Sequence, residues 1–180
     1  MQEKYPLEHH KPGENEETKQ YEYQPGVLFK NKNYVDILPS FIKSVDFTDG
    51  KQVMTCYNYL EKADIANKLK PEEALALLDS QFGDEKVRLF AVKKLSKLDD
   101  YMIALYMPQL VQSLKSELYH RSPLSEFLLE RSIRNTGVVG HALFWTLKSS
   151  LHSKLSYERL YLILERFLMC CGSFKNNLFI

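Results

Sequence analysis

Val138–His152, VVGHALFWTLKSSLH, is the stretch whose reading decides the fold. Val138, Ala142, Trp145 and Leu147 recur at helical spacing, with Leu143 and Phe144 beside them. That density predicts a helix covered on most sides by neighbours. The segment also holds the only tryptophan of the chain, two histidines and a lysine, so it reads as either a site or a core. His141 and His152 share a helical face but are separated by three turns, which places their backbones ~16 Å apart. One metal ion cannot take both at ordinary ligand distances. The segment is therefore read as core, with His141, Phe144 and Trp145 as structural residues.

The helical pattern extends outward in both directions. Downstream, a helix is expected from Ser156 to Cys171, with Gly172 as its stop. Its densest apolar run, Leu160–Leu164, is ended by Glu165 and Arg166, far short of the ~20 apolar residues a membrane span needs. Upstream, Ser122-Pro123 is a cap followed by a first-turn proline, and Leu124, Phe127, Leu128 and Arg131 share a face. A helix over about 100–117 contains Pro108, which predicts a kink or two short helices. Asp84 caps a helix whose stripe is Val87, Phe90, Ala91, Leu95 and Leu98, with Lys86, Arg88, Lys93, Lys94 and Lys97 mostly off it. Pro71-Glu72-Glu73 opens another helix, the glutamates complementing the positive end of its dipole. Two more are expected over 34–44, with Pro39 as a kink, and from Thr48 or Asp49 to about Lys62. No window shows strand alternation with hairpin turns. Short loops between such helices favour antiparallel pairs. The expected fold is all-α, an α-α superhelix of the armadillo or HEAT kind with degenerate repeats.

Residues 1–33 differ in composition. Pro6, Pro12 and Pro25 and the acidic cluster Glu14, Glu16 and Glu17 mark a loose arm or inter-domain linker, and 34–180 the helical domain. The whole chain has 180 residues, 44% hydrophobic and 26% charged, an ordinary globular balance for one domain. A net charge of +1 gives no excess of cations for a nucleic-acid face. Cys56, Cys170 and Cys171 are odd in number and imply no disulfide framework, which fits a reducing, intracellular setting. The N-terminus lacks the apolar core of a signal peptide.

Catalytic signatures are missing from the sequence. It has no GxGxxG, no GxxxxGK[ST], no GxSxG, and no HRD or DFG. His9-His10 reads as a solvated pair, and Cys170-Cys171 as small helix-end residues. The lysines over 86–97 read as a solvated face, with an acidic partner or membrane surface as the alternative.

The residues from Pro71 to Gly172 resemble the helical (accessory, or PIK) domain of phosphoinositide 3-kinases. PEEALALLDSQFGDEKVRLFAVKKL, Pro71–Leu95, resembles the family's PEEALELL…F.D..VR.FAV..L. LVQSLKSELYHRSPLSEFLLERSIRN, Leu110–Asn135, resembles its LVQ.LK.E…..PL..FLL.RA..N. GHALFWTLKSSLH, Gly140–His152, resembles GH.FFW.LKSE.H, and ILPSFIKSVDF, Ile37–Phe47, resembles ILPK.L.SV.W. The LKS..H block is closer to the class I and class II branches. Lys70 departs from the family's Thr or Ser cap, and Ser150 from its common Glu.

This resemblance implies a non-catalytic scaffold. In the family the domain is a stack of helix pairs supporting a lipid-binding C2-like domain and a kinase domain. Phe90, Leu95, Phe127, His141, Phe144 and Trp145 are then structural core. Glu14, Glu16 and Glu17 fall in the region where class I subunits contact a regulatory subunit. No catalytic, cofactor or metal residue is expected in this chain, since ATP and Mg belong to a kinase domain downstream of it. The resemblance further implies a cytoplasmic parent enzyme, a phosphatidylinositol 3-kinase recruited to the plasma membrane, with no nucleic acid among its partners. The helical domain can then be unfinished in its last helix pair at Ile180. The alternative is a free-standing helical adaptor without kinase activity.

Overall fold

The computed structural model describes residues 34–61, 69–152, 154 and 156–172. The segment 1–33, with Glu14, Glu16 and Glu17, lies outside the described residues. Every regular element among the described residues is helical.

Helices α1 (Tyr34–Ser44) and α2 (Gly50–Leu60) form the first pair. The first runs through Pro39, and Phe41 meets the Tyr59 ring edge-on at 5.5 Å. Asp49 caps α2 by accepting from the Lys51 N–H at 2.9 Å. Helix α3 (Pro71–Ala76) opens on its proline. Lys70 cannot accept a cap bond, so only the return bond forms, Lys70 N–H donating to Glu73 at 3.0 Å. Helix α4 (Glu85–Leu95) is capped by Asp84, which accepts from the Val87 N–H.

Pro108 divides the next helix as its missing N–H requires, giving α5 (Asp100–Leu105) and α6 (Met107–Leu114) about Tyr106. Helix α7 (Pro123–Arg134) starts with a reciprocal box between Ser122 and Ser125. The segment Val138–His152 does not start as an α-helix. A π-helical turn over Thr136–Gly140 comes first, with Gly140 N–H donating to Asn135 O five residues back. It runs directly into α8 (His141–Ser150). Helix α9 (Tyr157–Cys170) ends at Gly172, whose φ of +52° is the left-handed stop that glycine supplies at little cost.

The helices touch in two rows that alternate along the chain. Helices α2, α4, α7 and α9 each pack on the next, while α3, α5–α6 and the π turn with α8 cover their other side. Between the rows lie fully buried Ile103, Met107, Leu110, Leu114, Leu124, Leu128, Leu143 and Phe167. Helix α4 packs against α2, α3 and α7, so its buried surface is wider than one stripe. That corrects the sequence reading of its cations: Arg88 is 3% and Lys94 5% exposed. Lys94 lies 5.3 Å from the Phe90 ring, and burial holds its ammonium pKa below the ordinary lysine value.

Gly140 is pressed against both α7 and α9. A Cβ there would lie 2.9 Å from Ser132 O and 3.0 Å from the Phe167 ring. Gly140→Ala should lower stability by about 1–3 kcal/mol in urea unfolding, the usual range for overpacking. Gly137→Ala, where a Cβ meets nothing within 4 Å, should be neutral or stabilising. Equal effects of the two substitutions would contradict the close approach at Gly140.

Candidate interdomain docking face

Helix α8 turns two different faces to its surroundings. Leu143, Phe144 and Leu147 are buried, and the helix packs on α6, α7 and α9. Trp145 is two positions from both Leu143 and Leu147, about 200° round the axis, and so lies on the opposite side. It is 43% exposed, and His141 is exposed with it. This corrects the reading of both residues as core: with neighbours on one side only, a helix this apolar leaves part of its apolar surface uncovered. Leu95 and Phe144 are buried, whereas Phe90 and Phe127 are half-buried against the core.

The exposed face is ordered by its own contacts. The Trp145 indole N–H donates to His141 Nε2 at 3.0 Å, which puts the imidazole proton on Nδ1. Lys148 Nζ lies 4.9 Å from the Trp145 ring and 5.6 Å from that of Phe144. Phe144 meets the indole edge-on at 5.2 Å. The His152 ring pairs with Ser149 O at 2.9 Å, beyond the helix end. His141 opens α8 and His152 lies past its end, and among the described residues neither belongs to a group that could hold a metal ion. The result is a flat indole with its polar edge satisfied and a cation above it. It can accept apolar and anionic groups.

Three arginines tie other helices of the molecule together. Buried Arg88 of α4 donates to Phe82 O at 3.0 Å, Asp79 O at 3.3 Å and Ser113 O at 3.2 Å. Its guanidinium is also 3.0 Å from the Glu117 carboxylate. Arg159 of α9 donates to Leu114 O and Lys115 O, both at 3.1 Å. Arg131 of α7 donates to Leu98 O at 2.6 Å and Ser96 O at 3.4 Å, and pairs with Asp100 at 2.5 Å. Asn135 donates to the other Asp100 oxygen at 2.8 Å. The Asn135 and Arg131 bonds hold the Asp100 carboxyl below the ordinary carboxylate range. One further tie joins α2 to the start of α4, the Tyr57 hydroxyl donating to Asp84 at 2.8 Å. Burial and that bond push the Tyr57 pKa up to about 12.

No reactive constellation emerges elsewhere among the described residues. Burial, with Asp84 nearby, raises the Cys56 thiol to about 11, which keeps it protonated and unreactive. Among the described residues no group of three or more His, Cys, Asp or Glu side chains is placed to hold a metal ion. A cleft of about 270 Å³ beside Phe127 and Arg131 is also lined by Arg134, but Glu130 pairs with that arginine at 2.6 Å. Among the described residues no helix is long and apolar enough to cross a membrane. The arginine junctions are the feature that the sequence pattern did not identify. Its one signal was Arg131 sharing an apolar face with Leu124, Phe127 and Leu128.

Comparison with known proteins points in one direction. The model of the phosphoinositide 3-kinase family accessory domain (PIK domain) matches residues 7–179, including most of the segment set apart as an arm. Phosphatidylinositol 3-kinase 2 of Dictyostelium discoideum is 36% identical over 162 residues, 90% of this chain and 8% of that protein. Phosphatidylinositol 3-kinase 1 of the same organism is 39% identical over 145 residues, 81% of this chain and 9% of its own length. The human phosphatidylinositol 4-phosphate 3-kinase C2 domain-containing subunit beta is 42% identical over 101 residues, 56% of this chain and 6% of that protein. The chain thus spans under a tenth of the length of these relatives.

Two measurements check the geometry. Trp145→Ala should lower the stability of the chain by about 1 kcal/mol, well under the 3–5 kcal/mol of a buried tryptophan. Loss of the larger amount in urea unfolding would return Trp145 to the core. Asp100→Asn tests the α5–α7 junction through pH. Because the folded Asp100 pKa is depressed, its contribution is present above the unfolded value of ~3.9 and is lost as pH falls below it. The stability gap between wild type and Asp100→Asn should therefore be widest near neutrality and close in acid. A gap independent of pH would exclude the ion pair as its source.

Proposed function

Because the chain belongs to the phosphoinositide 3-kinase accessory-domain (PIK) family, we propose that it is the helical scaffold of a larger phosphatidylinositol 3-kinase. The single observation carrying this reading is the match along 90% of the chain to a protein named as such a kinase. The all-helical fold of the described residues agrees with a supporting role. The free-standing adaptor is disfavoured, since the relatives reported above are all lipid 3-kinases, each far longer than this chain.

In this reading the two rows of helices form an α-α superhelix between a C2-like domain and a kinase domain. The uncovered His141–Trp145–Lys148 face of α8 takes one of those neighbours. ATP and Mg bind in the kinase domain, outside these 180 residues. The parent works in the cytoplasm and reaches the plasma membrane to phosphorylate an inositol lipid. Glu14, Glu16 and Glu17 offer an acidic contact for a regulatory subunit.

The native protein, isolated with an antibody against this chain, tests the reading. It should be far heavier than 21.1 kDa and should transfer phosphate from ATP to phosphatidylinositol. A native product of this mass without lipid-kinase activity would establish the adaptor instead. Trp145→Ala in the full-length enzyme should expose the domain junctions to limited proteolysis. Unchanged cleavage would remove α8 from the interface.

A further inference from the structure

Arg159 ties the end of α6 and the loop after it to the first turn of α9. Its bonds to Leu114 O and Lys115 O set residues 115–121 beside the start of α9. In that loop Leu118 is 68% and Tyr119 66% exposed, adjacent in sequence and far more open than most apolar side chains here. Tyr157, the first residue of α9, is exposed as well. Basic side chains lie in or next to these segments: Lys115 is half-buried, and Arg121 and Lys154 are exposed. The acids nearby are few. Glu117 is buried against Arg88, Glu126 pairs with Arg121, and Glu158 is exposed.

We propose that this part of the molecule rests on the surface of an anionic lipid bilayer. Leu118 and Tyr119 enter the headgroup layer, and Lys115, Arg121 and Lys154 face lipid phosphates. Two large apolar side chains held in water by a loop gain by entering the interface, where tyrosine can keep its hydroxyl wet. Lysine and arginine beside them are drawn by the negative surface potential, within the reach of screening. An acidic protein would offer the same charge, but a stable complex needs a matched surface of about 800 Å² on each partner. A projecting Leu-Tyr tip fits a fluid layer that needs no matched shape. The inference goes beyond the scaffold role and rests on this surface alone.

Co-sedimentation of the 180-residue chain with vesicles tests it. Phosphatidylcholine vesicles containing phosphatidylserine should retain the chain, and pure phosphatidylcholine should not. Added salt should release it. The double substitution Leu118→Ser with Tyr119→Ser should lower partitioning about tenfold, since interfacial binding scales with buried apolar area. Its melting temperature should hold, because both side chains are already exposed. Arg121→Glu with Lys154→Glu should also abolish the preference for phosphatidylserine. Trp145→Ala, on the α8 face, should sediment as the wild type does. The proposal is overturned by failure of the wild type to bind, by undiminished binding of either double variant, or by preferential capture on a soluble polyglutamate peptide. None of these outcomes bears on whether the native protein is a lipid kinase.

Discussion

The structure depends on how the open ends of its helices are closed. The last carbonyls of an α-helix have no N–H partner within the helix and must find donors elsewhere. In α6 these carbonyls are partly buried, and arginines of other helices supply the donors. Arg88 reaches Ser113 O from α4, and Arg159 reaches Leu114 O and Lys115 O from α9. Arg131 of α7 treats the end of α4 in the same way, through Ser96 O and Leu98 O. All three come from a single row of helices. A guanidinium suits the task because its planar fork donates in several directions at once, and its charge complements the negative end of the dipole.

These junctions separate holding the helices from meeting a partner. Arg88 is a buried charge, tolerable because three carbonyls and a carboxylate surround it. Its neighbours in α4 do not have to carry the inter-row contact alone. The same economy appears in α8, where Leu143, Phe144 and Leu147 suffice to anchor the helix. Trp145 and His141 are then left to each other, bonded across one turn of exposed surface. A residue pair that satisfies its own polar groups can be covered by another domain without stranding a donor.

Much of this was legible in the sequence, and the limits have physical causes. Helix starts were readable because Asp49, Asp84 and Ser122 signal locally, through bonds to N–H groups two or three residues on. Pro108 announced the α5–α6 break for the same reason. Core membership was harder. Periodicity reports that a face is apolar, but not how many neighbours cover it. Helix α4 has neighbours on more sides than its stripe suggests, which buries Arg88 and Lys94, while α8 has fewer, which exposes Trp145. The arginine junctions span 25 to 45 residues of sequence, as Arg88 to Ser113 and Arg159 to Leu114 show. No local pattern can encode a partner at that distance. The family itself was readable from ordered blocks of residues, without knowledge of any contact.

The π turn over Thr136–Gly140 has a consequence for which face of α8 meets a neighbour. A turn closed from residue i to i−5 holds one residue more than an α turn. That extra residue shifts the angular phase of all that follows by about 100°. The turn is also clamped, because Gly140 abuts Ser132 O and Phe167. Helix α8 therefore starts from a fixed bearing as well as a fixed position. With one residue fewer in that turn, the same ten side chains would keep their order but present a different compass direction. The indole would swing toward the flank of the helix, and some of its aliphatic anchors would turn to water. The outward aim of Trp145 is thus set upstream of the helix that carries it, as the elevation of a gun is set at its mounting.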